Sequence, residues 1–388
     1  MFELIKNALI YAPEAKGVGH ILTAAGKIVY IGTELPVLGD AIELKVLDVD
    51  GACVIPGLID GHAHITGGGG ESGPASRVPA VLLSAFTRAG VTSVVGVLGT
   101  DDLTRNTETL VTQAYALREE GLSTWCHTGG YHIPLTTLTG SARSDIVFLD
   151  PVIGIGELAI SDHRSSQPTL DELLRIASEA HVAGLMTGKA GIVHLHLGDG
   201  SRKLTLLHEA LKQSEIPARV FNPTHVNRNM PLFEDALTLT RYGCHIDLTA
   251  FPEGDMPHAL PAAQAFLQYR DGGYPPKLLS ISSDGGGCLP NFDQQGELTH
   301  MGIGSSQTLV DTLKQLIDQE IPLEDILPSM TSNPADLLKL RLKGRLEVGM
   351  DADIVVLNAQ HEVQHLMARG NWHVQNKRVL RFGTYENA

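Results

Sequence analysis

The stretch Val54-Ile55-Pro56-Gly57-Leu58-Ile59-Asp60-Gly61-His62-Ala63-His64 constrains this chain most. It is an apolar run that ends in two histidines one residue apart. Residues i and i+2 of a strand point to the same side. His62 and His64 therefore present two imidazoles to one point, as a zinc-type divalent metal requires. A pair at this spacing is weak by itself, since core and surface histidine pairs are common. Its setting adds weight: a buried strand, then Asp-Gly, then the pair, then the glycine run Gly67 to Gly70. That order puts the pair where a strand leaves a core and enters a loop. The glycine run lacks the Lys-Ser/Thr and the strand-loop-helix pattern of a phosphate loop.

The rest of the chain supplies a frame for such a site. From Val54 to about Leu340, apolar strands alternate with amphipathic helices, which predicts βα units around parallel strands. Eight strands are expected: Val54–Ile59, Thr92–Leu98, Leu122–His127, Ile153–Ile160, Gly191–Leu197, Ala218–Asn222, His245–Ala250 and Leu278–Ser283. Helices are expected over Thr169–Leu185, Lys203–Ser214, Pro231–Tyr242 and Ser305–Gln319, with Thr169 and Glu172 as a capping box. This is the pattern of an α/β chain forming a (β/α)8 TIM-type barrel, whose active site lies at the C-terminal ends of the strands. Both chain ends instead carry short β pieces: Leu4–Tyr11, Gly19–Thr23, Lys27–Gly32 and Ala41–Asp48, then Asp353–Leu357, Val363–Ala368 and Val374–Phe382, with Asn376-Lys377 as a possible turn. The expected organisation is a small β-sandwich domain from residues 1–53 plus 345–388, with a metal-dependent hydrolase barrel over 54–344 inserted between its halves.

Composition narrows the function. With a formal charge of −15 at pH 7, the chain has no basic surplus for nucleic acid or anionic membranes. No apolar run is long enough to span a bilayer, and the N-terminus does not read as a signal peptide. Cys53, Cys126, Cys244 and Cys288 show no Cys-x-x-Cys spacing, so neither a disulfide framework nor a thiolate zinc site is indicated, and a reducing cytoplasm is the default.

Polar residues recur where the expected strands end. The first strand gives His62 and His64, the fourth Glu157, the fifth His196, the sixth region His225 and the eighth Asp284. Each alone has a bland explanation as a hydrogen-bonded histidine or a helix cap. Together, four histidines, a carboxylate able to bridge and one more aspartate make the inventory of a two-metal hydrolase site. His194 shares a face with His196 at another depth; it is taken as structural, as are His127, His132 and His163.

The run from Pro56 to His64 resembles the opening motif of the amidohydrolase superfamily. More narrowly, five blocks resemble the isoaspartyl dipeptidases (β-aspartyl peptidases): His64 to Pro74, Gly129 to Pro134, Ile160 to Ser165, Pro223 to Arg228, and Ser283 to Gly285. The resemblance implies a binuclear hydrolase with two Zn2+ ions bridged by Glu157 and a hydroxide, acting on small β-aspartyl dipeptides. His62, His64 and Asp284 would bind one ion, and His196 and His225 the other. Asp284 would also be the general acid/base, Glu71 the substrate-amine contact and Tyr131 the carbonyl-polarising hydroxyl. Arg164 and Arg228 would bind carboxylates, and Thr100 matches a further pocket position. The plainer expectation for the two arginines is pairing with acids such as Asp162 and Glu234.

Two departures from the resembled pattern stand out. Glu157 occupies the position of a carboxylated lysine, as in a second subtype of the family, and Cys288 stands where a serine is usual in a substrate loop. The resemblance also implies a homo-oligomer, such as an octamer. The alternatives are another deacetylase or cyclic-amide hydrolase of the superfamily, or a non-catalytic barrel that has lost its metal ligands.

Overall fold

The computed structural model describes residues 2–39, 43–252, 254–256, 258–292 and 298–387. Two β systems divide the chain. The first is a nine-stranded sheet built from both ends, in which strands Phe2–Tyr11, Ala15–Ala24, Lys27–Gly32, Leu44–Asp48 and Cys53–Pro56 meet Ile354–Leu357, Val363–Ala368, Asn371–Gln375 and Arg378–Val379. The N- and C-terminal halves join where Cys53–Pro56 pairs antiparallel with Ile354–Leu357. This sheet has its own core, including Ile5, Ile10, Ile21, Ile28, Val54, Ile354 and Met367.

The second system is a curled parallel sheet with a helix after each strand. Its strands are Leu58–Ala63, Val91–Gly96, Ser123–Thr128, Val152–Ile160, Val193–Leu197, Phe221–Thr224, Ile246–Thr249 and Leu279–Ser282. The first six form one continuous ladder and the last two pair with each other. The two parts meet at the eighth and first strands, where Asp284 N donates to His62 O at 3.1 Å and His64 N to Gly285 O at 2.8 Å. The α/β barrel expected from the alternation is the fold observed.

Several local expectations are revised. The run Val54–Ile59 is not one strand: Gly57 N donates to Asp353 O and Leu58 N to Gly90 O, so the chain changes sheets at Gly57. An unbroken apolar run cannot show that its two halves face different partners. The turn expected at Asn376-Lys377 is present, both residues at positive φ, but its strands run Asn371–Gln375 and Arg378–Val379, so the second ends short of Phe382. Strand Leu44–Asp48 is shorter than Ala41–Asp48, and Ala41 and Ile42 lie outside the described residues. An antiparallel pair after the eighth barrel strand, Cys288–Phe292 with Leu298–Ile303, was not anticipated. The helix Leu170–Thr187 starts as expected, with Thr169 and Glu172 closing a capping box.

Lys343 ties the two systems together. Its buried ammonium donates to Ser123 Oγ on the third barrel strand and to Asp353 Oδ2 beside the terminal sheet, both at 2.6 Å. Removing one partner of a buried pair strands the other charge, at a cost of about 3–5 kcal/mol. Lys343→Ala should lose stability on that scale in urea unfolding; a midpoint equal to the wild type would show that this contact does not hold the two sheets together.

Candidate metal centre and active site

The six expected ligands converge at the C-terminal ends of the strands. His62 lies on the first strand and His64 just beyond it, and their Nε2 atoms stand 3.3 and 3.1 Å from Asp284 Oδ1. Glu157 reaches both halves of the cluster. Its Oε1 is 3.3 Å from His64 Nε2, while its Oε2 is 3.2 Å from His196 Nδ1 and 3.4 Å from His225 Nε2. Two ligand groups emerge among the described residues: His62 with His64 and Asp284, and His62 with Glu157 and His225. The first matches the expected triad. In the second, His62 stands where His196 was expected, because His196 turns its Nε2 to Asp162 at 3.0 Å.

Local backbone devices aim these side chains. Opposite His194, two residues of the fourth strand, Gly156 and Glu157, occupy the space of one, since Val193 pairs with Ile155 and Leu195 with Leu158. Such a bulge re-aims the side chain it carries, and here that side chain is Glu157. Gly156 is required there, for a Cβ would lie 2.7 Å from His194 O. His225 and Asp284 leave their strands with φ of 59° and 55°, a left-handed conformation uncommon outside glycine but one that His and Asp adopt more readily than most residues. The glycine loop is likewise a matter of close backbone approach: a Cβ on Gly67 would lie 2.0 Å from Val78 O.

The electrostatics fit a cation. Burial opposes a charge on His64, yet Asp284 and Glu157 outweigh it and hold the ring up at about 10. Burial also opposes the charge on Glu157, but the surrounding imidazoles, His62 first, keep its carboxyl well below the usual range. Burial pushes His225 down to about 3, against the pull of Glu157 and Asp284. Among the described residues, His62 Nε2, Glu157 Oε1 and Asp284 Oδ1 are buried and make no hydrogen bond. Buried polar atoms are ordinarily satisfied; a set of lone-pair donors left bare around one point is what a metal needs. The residues present therefore fit a divalent cation.

The other expected site residues lie beside this cluster. Tyr131 is buried, with its hydroxyl 2.7 Å from His196 Nδ1. Burial and Glu157 raise its pKa well above the ordinary value, so it stays an O–H donor. Thr100 Oγ1 donates to Glu71 Oε1 at 3.1 Å, and Arg164 donates to the same oxygen at 3.2 Å. Arg164 also pairs in a fork with Asp162, at 3.0 and 2.7 Å, so the plainer expectation for that arginine is realised alongside its contact with Glu71. The acid near Arg228 is Asp199, at 3.7 Å, and not Glu234. Cys288 is half-buried, its thiol pushed up to about 12 by burial and then by Glu71.

Several supporting contacts were not anticipated. Asp162, expected only as an arginine partner, also holds His196. Arg105 fastens the glycine loop by donating to Thr66 O at 3.2 Å and Val78 O at 2.7 Å. His132 joins Asp102 to the Arg164 carbonyl, at 3.0 and 3.1 Å. Arg105 and Asp102 lie in the long loop after the second barrel strand, away from the strand ends that picked out the ligands, so no periodicity marks them.

The amidohydrolase family profile matches residues 53–373. The chain belongs to the amidohydrolase family. As a member it is a metal-dependent hydrolase, and the expected enzyme class holds. The β-aspartyl dipeptidase of the thermophilic, keratin-degrading Fervidobacterium islandicum AW-1, solved with a β-Asp-Leu dipeptide, superposes on this amidohydrolase with a TM-score of 0.93. The two are 39% identical, over 98% of this chain and 97% of the other, which bears out the motif resemblance. An allantoinase of Desulfitobacterium hafniense (strain Y51) is 23% identical over 92% of this chain and 86% of its own length. An N-acetylglucosamine-6-phosphate deacetylase of Pasteurella multocida, 15% identical with a TM-score of 0.64 over 97% of this chain and all of its own, shares the fold alone. No helix among the described residues is long and apolar enough to cross a membrane.

Because His64 near pH 8 holds a proton that ligation must displace, metal uptake by the stripped enzyme should release protons. Affinity should then rise with pH through the neutral range. Calorimetry in buffers of different ionisation enthalpy reads the proton count directly, and a count of zero would contradict this account of the cluster.

Proposed function

We propose that this amidohydrolase cleaves the side-chain amide bond of β-aspartyl (isoaspartyl) dipeptides, using two zinc ions held by His62, His64, Glu157, His196, His225 and Asp284. One observation carries the reading. Beside the ligand set, Glu71 Oε2 and Arg228 Nε are both buried and have no hydrogen-bond partner among the described residues. A bare acceptor and a bare cationic donor on one rim match a ligand with a free amine and free carboxylates. A β-aspartyl dipeptide is such a ligand, and the relative at 39% identity was solved with one. A deacetylase of neutral sugars has no use for Glu71 with two arginines.

The six ligands would hold zinc, which when bound would supply Lewis-acid polarisation of the scissile carbonyl and a water pKa lowered to roughly 7. Glu71 takes the substrate amine through Oε2, with Thr100 and Arg164 steadying its other oxygen. Arg228 brings an uncommitted donor to one carboxylate, while Arg164, shared with Asp162 and Glu71, supports the other. Tyr131 keeps its proton and hydrogen-bonds the carbonyl oxygen as negative charge grows there. Asp284 takes the proton of the attacking water and returns it to the leaving amine. Its carboxyl is suited to this, because His62 and His64 outweigh burial and keep it ionised. Glu157 spans the two ligand groups through separate oxygens, replacing a carboxylated lysine without carbon dioxide for assembly. Cys288 offers only a weak thiol donor where a serine is usual. The chemistry belongs to the barrel over 54–344, with the sheet from 1–53 plus 345–388 as its support. The reading extends to a cytoplasmic homo-oligomer, testable by fractionation and sedimentation velocity.

The deciding experiment is a hydrolysis screen of β-aspartyl, α-aspartyl and N-acetyl substrates with zinc present; faster turnover of either of the latter two would reject the substrate assignment. Asp284→Asn should retain zinc and lose turnover by about 10²- to 10⁴-fold, and a near-normal rate would reject its role. A β-aspartyl dipeptide amidated at its C-terminus strands a buried guanidinium, so its kcat/KM should fall by the equivalent of about 2–5 kcal/mol. Equal cleavage of amide and acid would end the two-arginine assignment.

A further inference from the structure

We infer that His194, set by Asn222, fixes the tautomer of His62 and so decides which nitrogen of that ring is offered to the metal. The inference rests on the reading of His62 as a ligand and adds a positioning residue beneath it.

Three hydrogen bonds determine the direction. Asn222 Nδ2 donates to the His245 carbonyl at 3.1 Å. The amide is thereby oriented, and its Oδ1 is the atom 2.7 Å from His194 Nδ1. An amide oxygen only accepts, so His194 Nδ1 carries the hydrogen. A neutral imidazole has one N–H, which leaves His194 Nε2 as a lone pair. That atom lies 2.7 Å from His62 Nδ1, which must then be the donor. His62 Nε2 is left as the nitrogen facing Asp284 and Glu157, at 3.3 and 3.7 Å. A neutral histidine side chain on its own favours the proton on Nε2, the position that must be bare for ligation.

The surroundings keep His194 from acting as a cation. Neither of its nitrogens touches a carboxylate, the ring is 2% exposed, and His127 stacks on it with ring centroids 5.5 Å apart. A second proton would bury an unpaired charge among imidazoles, which is costly. The chain of bonds is also rigid at its base. His194 and Asn222 are direct partners across adjacent parallel strands, and His245 leads into the next one. Four strands of the barrel thus pass one hydrogen-bond direction to a single ring. His194 is more than the structural filler its sequence position implies.

The test is a zinc titration of chelator-stripped enzyme in competition with a chromophoric chelator, with thermal melting as the control for folding. The wild type should take two ions per chain. His194→Phe keeps a ring of similar size but no acceptor, and should weaken one of the two ions by about 10- to 100-fold. His194→Gln places an amide oxygen within reach of His62 Nδ1–H and should restore binding to near the wild type. A pure packing role predicts the reverse order, with Phe tolerated and Gln harmful, and that result overturns the inference. Should His194→Phe fail to fold, Asn222→Leu removes the same anchor and should weaken one ion by at least tenfold; unchanged binding of both ions overturns the inference equally. A wild-type chain that takes up no zinc overturns both this and the proposed centre. One that binds two ions yet leaves β-aspartyl peptides intact sinks the substrate assignment while the tautomer inference stands.

Discussion

A single carboxylate buried at the heart of the barrel sets the terms for everything around it. Glu157 is fully buried, and its two oxygens face different imidazoles. A charge taken out of water is tolerated only where other charges or donors answer it. Four histidines converge on that carboxylate, and a fifth, His194, sits directly behind His62. The bulge at Gly156 and Glu157 and the left-handed exits at His225 and Asp284 are the backbone distortions needed to bring these groups to one point. Rare conformations of this kind persist where the surroundings over-determine them. Here Asp284 is held by its N–H on His62 O, and His225 by its carbonyl under Arg228 N.

The barrel is weakest in backbone pairing where its side chains are most specific. The ladder breaks between the sixth and seventh strands and again between the eighth and first. At the first break, Thr224 Oγ1 donates to Asp247 Oδ2 at 2.7 Å, and Asn222 and Asn227 bond the backbone of the next strand. Asp247 also accepts from Ser280 and Ser282, binding the seventh strand to the eighth. At the second break, Ser283 N and Oγ donate to Asp60, which Ser306 also reaches. Two buried aspartates and two asparagines therefore brace the junctions that the ladder leaves open. Thr224 and Ser283, which the aspartates hold, immediately precede His225 and Asp284, so the same bonds that join the strands also steady the ligands.

The outer rim is organised by competing partners for a few cations. Asp162 divides itself between His196 and Arg164, and Arg164 divides itself between Asp162 and Glu71. This links the ligand cluster to the glycine loop through three charged side chains. Arg228 stands outside that chain of contacts, its Nε without a hydrogen-bond partner among the described residues. The pocket so formed has both signs of charge within it, although the whole chain is strongly acidic.

The sequence by itself determined the alternation of strands and helices, the insertion of the barrel between two β-rich ends, and the strand-end positions of His62, His64, Glu157, His196, His225 and Asp284. These are legible because they depend on periodicity and on rank along the chain, which local pattern preserves. Tertiary structure alone decided that Gly57 divides one apolar run between two sheets, since partner choice is not a local property. It alone decided that His194 touches His62, that Asp162 holds His196, and that Arg105 pins the glycine loop. Each of those contacts joins residues tens of positions or more apart, or turns on a ring or guanidinium orientation. Their physical basis is the meeting of particular donors and acceptors across the barrel, and no spacing in the chain encodes it.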